Sequence, residues 1–328
     1  MIGFLFNIAR AITAPGPTEL PASSRTSFNI KPGSELEGLP EIKVVLKSSV
    51  ATEGDSDYLR TVDQGRHLHV TDLGGDTSFL LSTETGSTVW SAQPGQFLSG
   101  VCNGKLFLSI DKSLVVRNLE TGKDERVFEG YSALGPNPSG TIFYALDAER
   151  RMCRLDSSSL GLIWSSRKPW PKEAPLSGCY SNCGRYYSVQ TGRAAAQIWE
   201  VETQRRLFDG ELGSGAITRM RPHPLEPVFA FSSMSGLVWL LDARTPKEVF
   251  VQPLACESRG VGFTGDGNYL VAINSDQHEF LWILDYHKQQ LFAPFALTSD
   301  PWGVAAWGPN QVAVAHSNRI DFYQFEIP

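Results

Sequence analysis

The chain has 328 residues, 41% of them hydrophobic and 20% charged, which excludes a disordered chain and supports a sizeable core. Its formal net charge of −6 disfavours a direct role on nucleic acid or an anionic membrane surface, since either would want a basic stripe to neutralise phosphates. Five cysteines are too few, and odd in number, for a disulfide framework, so a reducing compartment inside the cell, the cytoplasm first, is expected.

Residues 1–12, MIGFLFNIARAI, are apolar but too short to span a bilayer. The only positive charge follows the apolar run, the reverse of a secretory signal, so a short docking helix is expected. An organelle-targeting peptide is the alternative, because few acidic residues appear before Glu35. The next residues are rich in Pro, Ser, Gly and Thr, so residues 1–40 are expected to be an arm that could dock a partner. Residues 41–49, EIKVVLKSS, read as a lone strand with no partner in its own neighbourhood.

From about residue 58 onward, short apolar runs rich in β-branched and aromatic residues alternate with turn clusters. The units run over about 58–90, 97–128, 131–164, 175–208, 216–250, 259–292 and 302–325. The sixth shows the pattern best: residues 260–263, 269–273, 280–284 and 290–295 are apolar runs, and Thr264, Gly265, Asp266 and Gly267 form the first turn. Three markers recur with one period. The last residue of that turn falls at 140, 184, 226 and 267, in steps of 44, 42 and 41. The third run carries Trp199, Trp239, Trp282 and Tyr323, and the fourth carries Trp164, Phe208, Phe250 and Phe292.

A period of about 40–45 residues with four strands per unit resembles the WD40 class of β-propeller. The runs Ile198-Trp199-Glu200, Val238-Trp239-Leu240 and Leu281-Trp282-Ile283, each ending near an acidic residue, look like the third-strand motif of that class. Met220-Arg221-Pro222-His223-Pro224 looks like its first-strand exit. No Gly-His dipeptide precedes a first strand, so the buried Asp-His-Ser-Trp network of the class is expected to be absent. The resemblance covers residues 41–328 and implies an all-β fold: a seven-bladed β-propeller of four-stranded antiparallel blades. The last unit supplies only three strands, so residues 41–49 are the candidate for its outer strand, closing the ring. Six blades is the competing count, because the first two units match the markers least well.

The chemistry-bearing candidates are sparse. Thr85-Gly86 and Trp90, with Thr121-Gly122, look like the turn and docking tryptophan of quinoprotein-like propellers; inter-blade packing is the simpler reading. His67 and His69 share one strand face but lack a third metal ligand in sequence, and exposed strand positions are expected. Cys179 and Cys183 are expected to be packing and turn residues. No nucleophile elbow, Walker loop or zinc pattern occurs, and no cofactor or metal is expected. The leading reading is therefore a non-catalytic interaction scaffold, a subunit of a protein assembly that binds one or more proteins on the face around its channel. The expected partner-binding residues are Tyr131, Trp170, Arg259 and Trp302 before first strands, with Asp276, Gln277 and His278 in a middle loop. The alternative is an enzyme or small-ligand propeller with polar groups such as Asp57, Arg219 and Arg259 converging on the channel.

Overall fold

The computed structural model describes residues 39–52, 56–72, 77–172, 178–213, 215–246, 248–254, 257–275 and 279–327. The apolar segment 1–12, nearly all of the arm, and Asp276, Gln277 and His278 lie outside the described residues.

Strand β1 (Lys43–Ala51) comes first and stands apart from the unit that follows it. Blade 1 holds β2 (Ser56–Val62), β3 (His67–Asp72), β4 (Ser78–Ser82) and β5 (Thr88–Ser91). Blade 2 holds β6 (Phe97–Cys102), β7 (Lys105–Ile110), β8 (Ser113–Asn118) and β9 (Asp124–Glu129). Blade 3 is β10 (Ser132–Pro136), β11 (Ile142–Leu146), β12 (Arg151–Asp156) and β13 (Leu162–Pro169). Blade 4 is β14 (Gly178–Tyr180), β15 (Tyr186–Gln190), β16 (Ala195–Glu200) and β17 (Arg205–Glu211). Blade 5 is β18 (Ile217–Pro222), β19 (Val228–Ser233), β20 (Leu237–Asp242) and β21 (Glu248–Pro253). Blade 6 is β22 (Ser258–Phe263), β23 (Tyr269–Asn274), β24 (Phe280–Asp285) and two fragments, β25 (Gln290–Leu291) and β26 (Phe295–Ala296). Blade 7 is β27 (Gly303–Trp307), β28 (Gln311–Ala315) and β29 (Arg319–Glu326), completed by β1.

The first strand of each blade packs against the first strands of its neighbours, β2 on β6 and so on through β22 on β27 and β27 back on β2. First strands therefore line the axis and the ring is closed at seven. A four-stranded sheet has two faces to cover, and each is covered by the next blade. Among the described residues there are seven buried apolar clusters, and each straddles one blade-to-blade seam. Stacked rings mark some seams, Phe107 on Phe143 at 4.0 Å between centroids and Tyr144 on Tyr180 at 3.6 Å.

The glycine of the recurring turn has a physical reason. Gly140, Gly184 and Gly267 all have φ between 68° and 76°, where a side chain is strained. A Cβ on Gly267 would also strike the His223 ring of the neighbouring blade, whose Nε2 lies 3.0 Å from the Gly267 carbonyl oxygen. Each such turn is both a reversal and a contact with the preceding blade.

Closure occurs as the lone N-terminal run requires, with one difference in detail: the strand begins at Lys43 rather than residue 41. Leu46 is 50% exposed. A bulge between Leu46 and Ser48 shifts the register of β1 on β29. Strand side chains alternate, and one extra residue flips that alternation. Val44, opposite Phe325, thus packs into the seam between blades 6 and 7, while Val50, opposite Ile320, packs into the seam between blades 7 and 1. One strand fastens both seams. Blade 6 departs from expectation more clearly. Its fourth strand is broken after Leu291: Phe292 is buried and still donates its N–H to the Ile283 carbonyl of β24 at 3.0 Å, but the ladder does not continue through Ala293. Pro294 has no N–H to offer a ladder, and the Ala293 N–H turns away to donate to the Pro40 carbonyl at 3.0 Å.

The third-strand tryptophans are core residues. Among the described residues the indole N–H groups of Trp239 and Trp282 are buried with no acceptor. Blade 7 carries a different polar knot. Asp321, 1% exposed, accepts from Ser49 Oγ of β1 at 2.6 Å, from Arg319 Nε at 3.0 Å and from Tyr323 OH at 3.3 Å. His316 Nε2 lies 3.2 Å from it, and the His316 Nδ1 side meets Ser299 Oγ at 2.9 Å.

Candidate functional site

First strands begin on one face of the ring, called here the upper face, and end on the other. Loops joining second to third strands also open on the upper face. Several large side chains stand there. Phe97, at the start of β6, is 62% exposed, and Met234, in the turn after β19, is 46% exposed. Tyr131, just before β10, is half-buried with its ring 5.4 Å from that of Phe128.

Arg259 and Trp302 come together, as two of the expected partner-binding residues. Arg259 is the extra residue of a bulge in β22, between Ser258 opposite Asn274 and Gly260 opposite Ile273. The bulge frees its side chain from the ladder and aims it at blade 7. Gly260 lets the blades close just beneath, since a Cβ there would lie 2.9 Å from Val304. The Arg259 guanidinium carbon sits 4.5 Å from the centre of the Trp302 ring, within cation–π range. Glu257 is 3.7 Å from Arg259 Nε, an ion pair without a hydrogen bond. Both Arg259 and Trp302 keep partial exposure.

Trp170 is a correction. It is 1% exposed, edge-on to Tyr187 at 5.9 Å and tilted against Trp199 at 5.8 Å. Its backbone N–H donates to the Arg150 carbonyl. A large aromatic just before a first strand is expected on the face, but Trp170 fills the seam between blades 3 and 4 instead. Asp276, Gln277 and His278 lie outside the described residues, as does the side chain of Asp57. His69 also departs from expectation: it is 5% exposed, with Nε2 at 2.7 Å from Ser78 Oγ, and burial first, then Arg60 and Arg221, hold its pKa well below 6.5. Among the described residues no group of three or more His, Cys, Asp or Glu could hold a metal. Cys179 is a free thiol raised to about 12 by burial. Trp90 packs on the seam between blades 1 and 2.

Inside the ring lies a cluster that sequence reading largely missed. Tyr58 and Arg60 are two apart on β2, and Arg219 and Arg221 two apart on β18, so each pair shares a strand face. Leu59, between the first pair, is buried in the seam between blades 7 and 1, so Tyr58 and Arg60 leave the opposite face of β2, and the contacts of Tyr58 with Arg219 and Arg221 of blade 5 place the pair at the axis. The guanidinium carbons of Arg60, Arg219 and Arg221 lie 5.9, 5.8 and 5.0 Å from the centre of the Tyr58 ring. Arg221 Nη2 donates across the axis from blade 5 to the Leu59 carbonyl of blade 1 at 2.9 Å, and Arg60 Nη2 to the Ser99 carbonyl of blade 2 at 3.1 Å. Burial would raise the Tyr58 phenol, but the fields of Arg221, Arg60 and Arg219 outweigh it and hold its pKa below the ordinary value. Burial lowers Arg221, assisted by Arg219 and Arg60. Of these residues only Arg219 is expected at the channel from the sequence, Arg221 figuring there as part of a first-strand exit. The alternation Tyr58-Leu59-Arg60 and Arg219-Met220-Arg221 in first strands was the signal that could have found the rest.

No family model matches the chain, and no curated protein matches it by sequence. Solved structures do match, 1740 chains among them. One is the crystal structure of the Myceliophteria thermophila Cps50 (Swd1) beta-propeller domain, at a TM-score of 0.60 and 16% identity. The match covers 86% of this chain and 99% of that one. At that identity the likeness is one of fold, and a fold so widely shared does not by itself fix a role. No described helix is long and apolar enough to cross a membrane.

Proposed function

We propose that this chain is a non-catalytic protein-interaction scaffold, a subunit of a multiprotein assembly that engages a protein partner on the upper face of its ring. The observation that carries the reading is the set of large side chains held partly exposed there at strand starts and in a second-to-third-strand turn: Phe97, Tyr131, Met234 and the Arg259–Trp302 stack. Aromatic residues, Met and Arg are the side chains that dominate interface cores, and a stacked guanidinium is already ordered, so less rotamer freedom is lost on binding. The description of the Cps50 (Swd1) neighbour as a β-propeller domain is compatible with this role. The compartment we infer is the cytoplasm.

The test is affinity purification of the tagged full chain from its native source, comparing wild type with a Phe97→Ser/Trp302→Ala variant and a Leu225→Ser control. Leu225, 63% exposed, sits in the turn after β18, on the opposite face. A stoichiometric partner retained by wild type and control but lost by the upper-face variant supports the reading. A partner lost only with Leu225→Ser, or no stoichiometric partner at all, contradicts it.

A further inference from the structure

The axial cluster is a concentration of positive charge inside a chain whose net charge is −6. Each guanidinium has five N–H donors. Arg221 donates to the Met220 and Leu59 carbonyls, and Arg60 to the Ser99 carbonyl. Among the described residues neither has a carboxylate within ion-pair distance, and Arg60 Nε is buried with no hydrogen-bond partner. His69 packs edge-on to Tyr58 at 6.1 Å, and its buried Nδ1 is likewise unpartnered. Like charges gathered in a partly desolvated channel repel one another, and carbonyl dipoles neutralise them only in part. An anion would satisfy both deficits. Tyr58, Arg60 and Arg221 each keep partial exposure, so the cluster is reachable by solvent.

We propose that the axial channel binds a small phosphate-class oxyanion between Arg60 and Arg221, with the Tyr58 hydroxyl available as a hydrogen-bond donor. Guanidinium groups suit this class because their planar pairs of N–H donors match two oxygens of a tetrahedral anion. The site draws on blades 1 and 5, which are not neighbours. A bound anion therefore ties opposite sides of the ring and stabilises the folded state by mass action. This site is separate from the upper-face aromatic set, and its test does not depend on any protein partner.

Isothermal titration of the full-length protein with pyrophosphate, and thermal melting in pyrophosphate against sodium chloride of equal ionic strength, test the proposal. The expected result is saturable binding with a melting temperature that rises with pyrophosphate beyond the salt control. Arg60→Gln and Arg221→Gln should each weaken binding by roughly tenfold or more, as loss of a charge-assisted hydrogen bond implies. Arg206→Gln, a surface control paired with Asp209, should bind as wild type does. Should Arg221→Gln fail to fold, Arg60→Gln and Tyr58→Phe keep the test, the latter expected to weaken binding while preserving the ring. Absence of saturable binding by wild type, or equal binding by wild type and the Arg60 and Arg221 variants, overturns the proposal.

Discussion

Replacing Asp321 by Ala should weaken the ring where its two ends meet. The carboxylate is 1% exposed and serves Ser49 of β1, Arg319, Tyr323 and His316. Its removal leaves a guanidinium and two hydroxyls short of an acceptor. Breaking a buried ion pair from one side costs about 3–5 kcal/mol. Two features argue for the lower end: Arg319 is one-third exposed at its side chain and can turn to water, and His316 Nε2, though 3.2 Å from the carboxylate, makes no hydrogen bond to it. A loss of about 3 kcal/mol follows. The comparison is Glu326→Gln, which breaks the Lys43–Glu326 bridge of the same strand pair at side-chain exposures of 65% and 58%; exposed bridges contribute little. Urea unfolding of both variants and wild type measures the difference. If Asp321→Ala costs no more than Glu326→Gln, the knot does not hold the closure and the reasoning fails.

Two further outcomes concern stability. Deleting residues 1–38 should leave a folded ring, whereas deleting 1–51 should remove Val44 and Val50 from two seams and expose the edge of β29, giving aggregation or a much lower melting temperature; equal behaviour would refute closure by β1. The cut belongs at 38 rather than 40, because Leu39 packs on the seam between blades 5 and 6 and Pro40 accepts from Ala293. Acid should also destabilise the protein. Burial depresses the pKa of His69, His223 and His316 below 6.5, so the unfolded chain takes up protons that the folded one resists. Stability is then full above about pH 6.5 and falls as pH drops below it. Urea midpoints measured across that range should decline less steeply for His69→Gln, and a flat wild-type profile would refute the sign.

The ring was legible in the sequence because its markers have direct physical causes. Gly140, Gly184 and Gly267 recur where the turn needs a left-handed residue, and Trp199, Trp239 and Trp282 recur where each third strand faces a seam. The lone run near Val44 was legible as a closing strand because an open edge elsewhere demanded one. Its bulge was not, since nothing in EIKVVLKSS shows that Tyr323 and Phe322 face different seams. The break at Phe292 was signalled by Pro294 and outweighed by the apolar pattern around it. The site was less legible. Arg259 and Trp302 were placed by their position before first strands, but the same rule put Trp170 on the surface, because burial at a seam depends on which rings come from the next blade. Arg60 and Arg221 meet across the axis from blades 1 and 5, a proximity that no local pattern encodes.

The claim that the upper face is the binding surface is tested most directly by site-specific photo-crosslinking. A photoreactive phenylalanine analogue placed at Phe97, 62% exposed on the upper face, and separately at Leu225, 63% exposed on the opposite one, reports contact at each position in the native source. The expected result is one discrete crosslinked protein species from position 97 and none from position 225. A discrete species from position 225 alone, or none from either, would contradict the assignment.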